Sequence, residues 1–408
     1  MRTFNILELQ KNMEYALHFF RRMSGLILPV TLDSRLSRDT VFTLVIGLVT
    51  VVLLCMHTGF ERPALHGIMT RAEILSIDNK AVKQIGFISE GAQLIKAKIL
   101  DGQYAGTEID GANTLIGKLE MDKFFQPGDT ALVGLDIDPA TGKIAYANFI
   151  DHYRLHLEAL LFALFALILL LFAGMTGAKA LVSFVFSIVM VWKVLLPLFL
   201  KGYDPVFLSL AVTLLITAVI VFLVGGLSRK GGAAFLGAAA GIGITCILAV
   251  VFGYAFHIHG AVRQFSETLL YSGYEFLDLT KIFFAGIFIA SSGAVMDVAM
   301  DVAASIEAVH LADPSLSRTA LIASGFKVGR AVIGTMTTTL LLAYSGGYTA
   351  LLLVFMAQGT PIINILNLTY VAAEILHTLV GSFGVVLVAP ATAVVGGILF
   401  GSKPSVIH

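Results

Sequence analysis

The chain has 408 residues, of which 57% are hydrophobic and only 13% charged. Soluble domains carry roughly 25% charged residues, so the composition excludes an ordinary soluble protein and reads as a polytopic α-helical membrane protein. The formal net charge is zero, which gives no footprint for nucleic acid. The two cysteines, Cys55 and Cys246, lie in apolar runs and suit neither a disulfide framework nor a zinc site.

Residues 1–39 hold Arg21, Arg22, Arg35 and Arg38, with Leu9, Met13, Leu17 and Phe20 at helical spacing. This predicts a cytoplasmic amphipathic leader lying on the membrane or on the protein's own inner face. No small-residue cleavage site follows the first apolar run, so a cleaved signal peptide is not expected. Residues 40–56 are just long enough to span, and the arginines before them place the N-terminus in the cytoplasm.

Residues 57–156 form a composition island of charged and alternating sequence. Arg71 to Ile77, Leu94 to Ile99, Ala131 to Ile137 and Lys143 to Ile150 are strand-like. Asp138-Pro139-Ala140-Thr141-Gly142 between the last two predicts a hairpin. Gly102, Gly106 and Gly111 punctuate what reads as a long middle connection. The expectation is a small extracytoplasmic β-barrel, OB-like, inserted after the first helix.

A multi-span domain over 157–402 follows. Apolar runs near 156–175, 178–200, 205–227 and 232–256 precede a helix from Lys281 to His310, around which the others are expected to form a shell. With Arg330 to Tyr344 and a last run to about Phe400, this makes about eight transmembrane helices. Lys179, Arg229, Lys230, Arg318, Lys327, Arg330 and Lys403 then fall inside, and both termini are cytoplasmic. Gly237 and Gly241 have the spacing of closely packed membrane helices. Residues 257–280 read as an amphipathic outer segment, and 345–375, interrupted by glycines and Pro361, as a broken or re-entrant segment.

The chemistry-bearing residues lie in the second half. Asp297 and Asp301 are four apart and share a helix face. A carboxylate at membrane depth costs at least about 2.5–3.5 kcal/mol and is by default functional. Thr335, Thr338 and Thr339 are the closest group in a hydroxyl cluster able to replace ion hydration or to pack helices. Glu374 and His377, three apart, share a face and fit an outer gate, a proton relay or a solvated helix entry. Arg330 reads as a topogenic charge. His57, His66, His152, His156, His257 and His259 cluster on the predicted outer side without a metal-binding motif, so no metal or cofactor is expected.

The succession of one span, an outer β-domain ending in Asp151-His152-Tyr153-Arg154 and a multi-span region resembles the bacterial YibE/F-like membrane proteins over about residues 40–400. Gly293-Ala294-Val295-Met296-Asp297 is similar to that family's Gly-Ala-x-x-Asp motif. Gly334-Thr335-Met336-Thr337-Thr338 is similar to its Gly-Thr-Met-Thr segment, with threonine at 338 where the family usually has asparagine. Glu374 and Gly381-Ser382-Phe383-Gly384 match its C-terminal motif. The resemblance implies a multi-pass protein of the bacterial cytoplasmic membrane with a permease role.

The expected function is a permease for a small cation or an ion- or proton-coupled solute, lined by Asp297, Asp301, Thr335, Thr338, Thr339, Glu374 and His377. The alternative is a non-transporting scaffold or sensor whose outer domain binds an envelope partner. An enzyme is not expected. An aspartic dyad needs carboxylates on two helices, and here both aspartates share one. The expected partners are the bilayer, the transported species and, from the small-residue faces, further copies of the chain.

Overall fold

The computed structural model describes residues 38–60, 67–138 and 140–401. The leader over 1–37, His66, Pro139 and Lys403 lie outside the described residues. Helix α1 (Arg38–Cys55) leads into six strands: β1 (Ile68–Asp78), β2 (Lys83–Ile85), β3 (Ile88–Ile99), β4 (Glu108–Ile116), β5 (Thr130–Ile137) and β6 (Ile144–His152). Five of them close a ring in the order β1–β5–β6–β4–β3 and back to β1, and β2 extends β3 as a hairpin. All neighbours are antiparallel except β4 and β6, which meet in parallel at Ala112 and Asn148. This is the small β-barrel that the alternation predicts.

Alternate residues fill the barrel, among them Ile74, Ile95, Ile99, Val133, Leu135 and Phe149. A buried polar knot joins its layers. Asn113 donates to the Gln93 side chain at 3.0 Å, and Gln93 donates to Asn79 at 3.0 Å. The β5–β6 turn forms as expected, with Gly142 N–H donating to the Asp138 carbonyl at 2.8 Å. Gly111 corrects the sequence reading: it lies within β4, not in a connection. A Cβ there would meet the Ala147 carbonyl oxygen at 2.6 Å, so glycine lets β4 and β6 close the ring.

The remainder is mostly helical. It comprises α2 (Leu155–Val189), a π-helical segment (Met190–Leu195), α3 (Leu196–Leu200), α4 (Pro205–Gly225), α5 (Arg229–Ala255), α6 (Ser266–Tyr271), α7 (Leu279–Ala312), α8 (Arg318–Gly346), α9 (Thr349–Ala357), α10 (Ile362–Asn367) and α11 (Thr369–Phe400). Among the described residues, six helices are long and apolar enough to cross a membrane. The count is seven if α8 and α9, bent by 65°, form one span.

The stretch from 155 to 200, counted there as one helix, is not straight. Gly174 has φ 53° and ψ −125°, a conformation that L side chains rarely adopt. The rings of Phe162 and Phe184 lie 6.3 Å apart, whereas 22 residues of continuous helix span about 33 Å. The chain therefore reverses at Gly174, and α2 is a helical hairpin. Its turn shares one end of the bundle with the start of α1, since Lys179 pairs with Asp39 at 3.2 Å. Lys230 and Glu307, at 3.0 Å, join the start of α5 to the end of α7. Lys281 pairs with Asp204 at 2.6 Å, joining the starts of α4 and α7.

Helix α7 is the most enclosed of the long helices. It packs against α4, α5, α8 and α11, and it shares the centre with α11, which touches α5, α7 and α8. The contacts are close because the residues are small. Gly237 of α5 faces Thr392 of α11, and Gly384 of α11 faces Thr245 of α5; neither position has room for a Cβ. Such small-residue contacts let helix backbones approach where no aqueous hydrophobic effect drives them together.

Candidate functional site

The residues singled out in the sequence fall into two groups at different depths. The first gathers where the 257–265 segment meets α8, α9 and α11. This segment, read from its sequence as amphipathic, turns its apolar side into the helical unit. Ile258 and Val262 are buried with Phe283, Phe284, Leu376 and Val380. Gly260 packs so closely on the Leu279 carbonyl that no Cβ fits. The effect is to point Arg263 inward.

The Arg263 guanidinium donates to the Tyr348 hydroxyl at 2.6 Å and to His377 Nδ1 at 2.8 Å. It lies 3.4 Å from Glu374 Oε2 and 5.4 Å from the centroid of the Phe283 ring. A guanidinium has only donors, so Nδ1 is the acceptor and the ring proton sits on Nε2. The Tyr344 ring stacks on His377 with centroids 4.2 Å apart. Among the described residues, Tyr344 OH, Glu374 Oε2 and His377 Nε2 are buried without a hydrogen-bond partner. A cavity of about 270 Å³, walled by Leu341, Leu352, Val371 and Ile375, reaches Tyr348 and Glu374 on one side. Another of about 300 Å³ reaches Arg263 and His377 on the other. The cluster thus lines both cavities.

The second group lies on the open faces of α7 and α8. Asp297 and Asp301 are exposed on the monomer, and among the described residues neither carboxylate makes a hydrogen bond or ion pair. Gly286, Ala290 and Gly293 continue their stripe along α7. On α8, Arg330, Thr335, Thr338 and Thr339 are exposed. Thr335 and Thr339 donate to the carbonyls of Val332 and Thr335, so their oxygens remain able to accept or ligate. Gly329 faces Val302 and Gly325 faces Ile306, so the two helices are antiparallel. Counting five residues along each from Gly329 and Val302 brings Gly334 and Thr335 level with Asp297. Arg330 pairs with neither aspartate among the described residues.

The two groups do not meet. Helices α7 and α11 run parallel, with Gly381 against Ser291. Glu374 lies seven residues before Gly381 and Asp297 six residues after Ser291. At 1.5 Å per residue they are about 20 Å apart along the axis.

Sequence reasoning did not select Arg263, Tyr344 or Tyr348. Arg263 is the only Lys or Arg in 257–280, and the two tyrosines, four apart beside a helix break, share a face. Those were the available signals. The outer histidines have other company: His152 lies against Phe125 and Asp129, and His156 stacks on Tyr153. Among the described residues no three of His, Cys, Asp and Glu gather as metal ligands.

A family model described as YibE/F-like protein matches residues 161–402. The chain belongs to the YibE/F-like family. The match contains every residue of both groups and does not include the β-barrel. Comparison with curated proteins and with solved structures returns no match.

Proposed function

We propose that this YibE/F-like protein is a permease of the bacterial cytoplasmic membrane that moves a small cation, or a solute coupled to ions or protons. In this reading the chain crosses the bilayer eight times, because the α2 hairpin supplies two crossings and α8 with its bent extension one. The positive-inside rule puts the Asp39–Lys179 end in the cytoplasm and the barrel outside.

The observation that carries the reading is the pair of unpaired carboxylates on the open face of α7. Lipid does not tolerate them, so water, a cation or a second copy of the chain covers that face. Asp297, level with the Thr335 hydroxyl, and Asp301 one turn further along attract a cation and replace part of its hydration shell. The glycine and alanine stripe beside them suits close approach by a neighbouring copy, which would enclose the strip. The Arg263–Glu374–His377 cluster, about 20 Å outward, serves as the outer gate: its guanidinium repels cations until the cluster opens. This accounts for a path lined by the predicted residues without bringing them to one point.

The test is cation flux into proteoliposomes. Asp297→Asn is expected to abolish flux while the protein still inserts and purifies as wild type. Undiminished flux in Asp297→Asn overturns the assignment. If no cation or coupled solute moves through the wild-type protein, the scaffold or sensor reading replaces the permease.

A further inference from the structure

The barrel has an apolar tip for which nothing in its own core accounts. At the β2–β3 turn, Ile85 and Phe87 are 66% and 78% exposed. In the connection between β4 and β5, Leu119 and Met121 are 66% and 57% exposed. These are one patch. Glu90 pairs with Ile116 across β3 and β4, and Gly117 lies against Ile88 and Glu90. A domain of this size seldom leaves large apolar side chains together in water without a partner.

The topology says where this patch lies. Strands β4 and β6 are parallel through Ala112 and Asn148, so four residues further on Ile116 ends beside His152. The connection from Gly117 to Asp129 folds under that same end. Lys123 Nζ bonds the Ile150 carbonyl, the Phe125 and His152 rings are 4.6 Å apart, and Asp129 lies 3.7 Å from His152. Helix α2 begins at Leu155, three residues after His152, and beyond Glu158 its first half is apolar on every side. The patch therefore sits at the end of the barrel from which the chain enters the apolar helices.

We propose that the Ile85–Phe87 turn and the Leu119–Met121 loop insert into the outer leaflet of the bilayer, giving the barrel a third attachment beside its two covalent ones. The proposal rests on the reading that the apolar helices cross a membrane. Lys80, Lys83 and Lys118 border the patch, but Glu120 and Asp122 do so as well. The attachment is thus apolar insertion in the interface, as for surface-lying amphipathic segments, and not attraction to anionic headgroups. Its consequence is to hold the barrel at a fixed tilt over the outer cavities of the helical unit.

The chain has a single tryptophan, Trp192, exposed on the π-helical segment, which makes the test clean. The full-length protein is reconstituted in vesicles of brominated phosphatidylcholine. Quenching of Trp192 in the wild-type protein checks the membrane reading by itself. In a Trp192→Phe background, Phe87→Trp and, separately, Met121→Trp report on the tip, and Tyr146→Trp on the barrel wall reports on the water-facing side. The expected result is blue-shifted emission quenched by bromolipid at 87 and 121, and water-like emission quenched by iodide at 146. Water-like emission at 87 and 121 with Trp192 still quenched by lipid overturns the proposal alone. Shielding at 87 and 121 from both quenchers also overturns it, in favour of a protein partner or a second copy. The same results in bromolipid with added anionic lipid are expected, and strengthening only with anionic lipid would contradict apolar insertion.

Discussion

The first half of the α2 hairpin and the central helix α7 obey opposite rules. The most apolar window of 155–200 has none of its residues buried, and Phe172 is 93% exposed. The α7 window is less apolar and carries Asp297 and Asp301, yet 61% of it is buried. In water the order would be reversed, because apolar surface drives burial there. A bundle in which the more hydrophobic of these two helices is the less covered is compatible with an apolar solvent, with small and polar side chains at its helix contacts. The comparison also explains why α7 can hold carboxylates: its packing comes from Phe284, Phe288, Val295 and Ala299 on other faces, all fully enclosed.

The sharpest way to break this contrast is to truncate one phenylalanine from each helix. Phe288→Ala is expected to destabilise the protein by about 3 kcal/mol, the low end for such a cavity because lipid already supplies an apolar reference. Phe172→Ala is expected to stay within about 0.5 kcal/mol. Thermal unfolding of both in the same detergent measures the difference, and equal effects would show that the two helices share one environment. Next in size, Arg263→Ala should cost about 1–3 kcal/mol, because it strips partners from buried Glu374 and His377. Adding Glu374→Gln should restore part of that loss in a double-mutant cycle; strict additivity would mean the pair is not coupled.

The smallest effect concerns the barrel. Its hydrogen bond from Arg71 holds the Asp101 carboxyl below its ordinary value, and one from Lys96 does the same for Glu108. A carboxylate depressed in the folded state contributes stability at neutral pH that is lost as pH falls through the folded-state pKa. These side chains are solvent-exposed, so the contribution is modest. Hydrogen exchange in β1 and β3 should accelerate as pH is lowered beyond the intrinsic rate change, and Asp101→Asn should flatten that dependence.

Much of this was legible in the chain. Alternation over Arg71–Ile77 and Ala131–Ile137 with the Asp138–Gly142 turn predicts the barrel, and the two aspartates mark α7. Strand β4 was hidden because Glu108, Asp110 and Gly111 have loop composition, and only their pairing to β3 and β6 makes them a strand. Arg263 was hidden for a related reason. A cation in an amphipathic segment reads as solvated, and its inward turn depends on Gly260 fitting against Leu279 and on Phe265 at φ 63°. Nor does helical spacing reveal that Asp297 and Asp301 face out of the monomer, since periodicity gives a shared face but not what that face meets.

The most direct test of the central claim is ligand-induced stabilisation of the purified protein by monovalent and divalent cations and small amines, compared with Asp297→Asn. A cation bound at a hundred times its Kd should raise stability by about 2.7 kcal/mol. The account predicts a cation-specific shift in the wild-type protein that disappears in Asp297→Asn while the unliganded melting temperature stays the same. A shift that persists undiminished in the variant would contradict it.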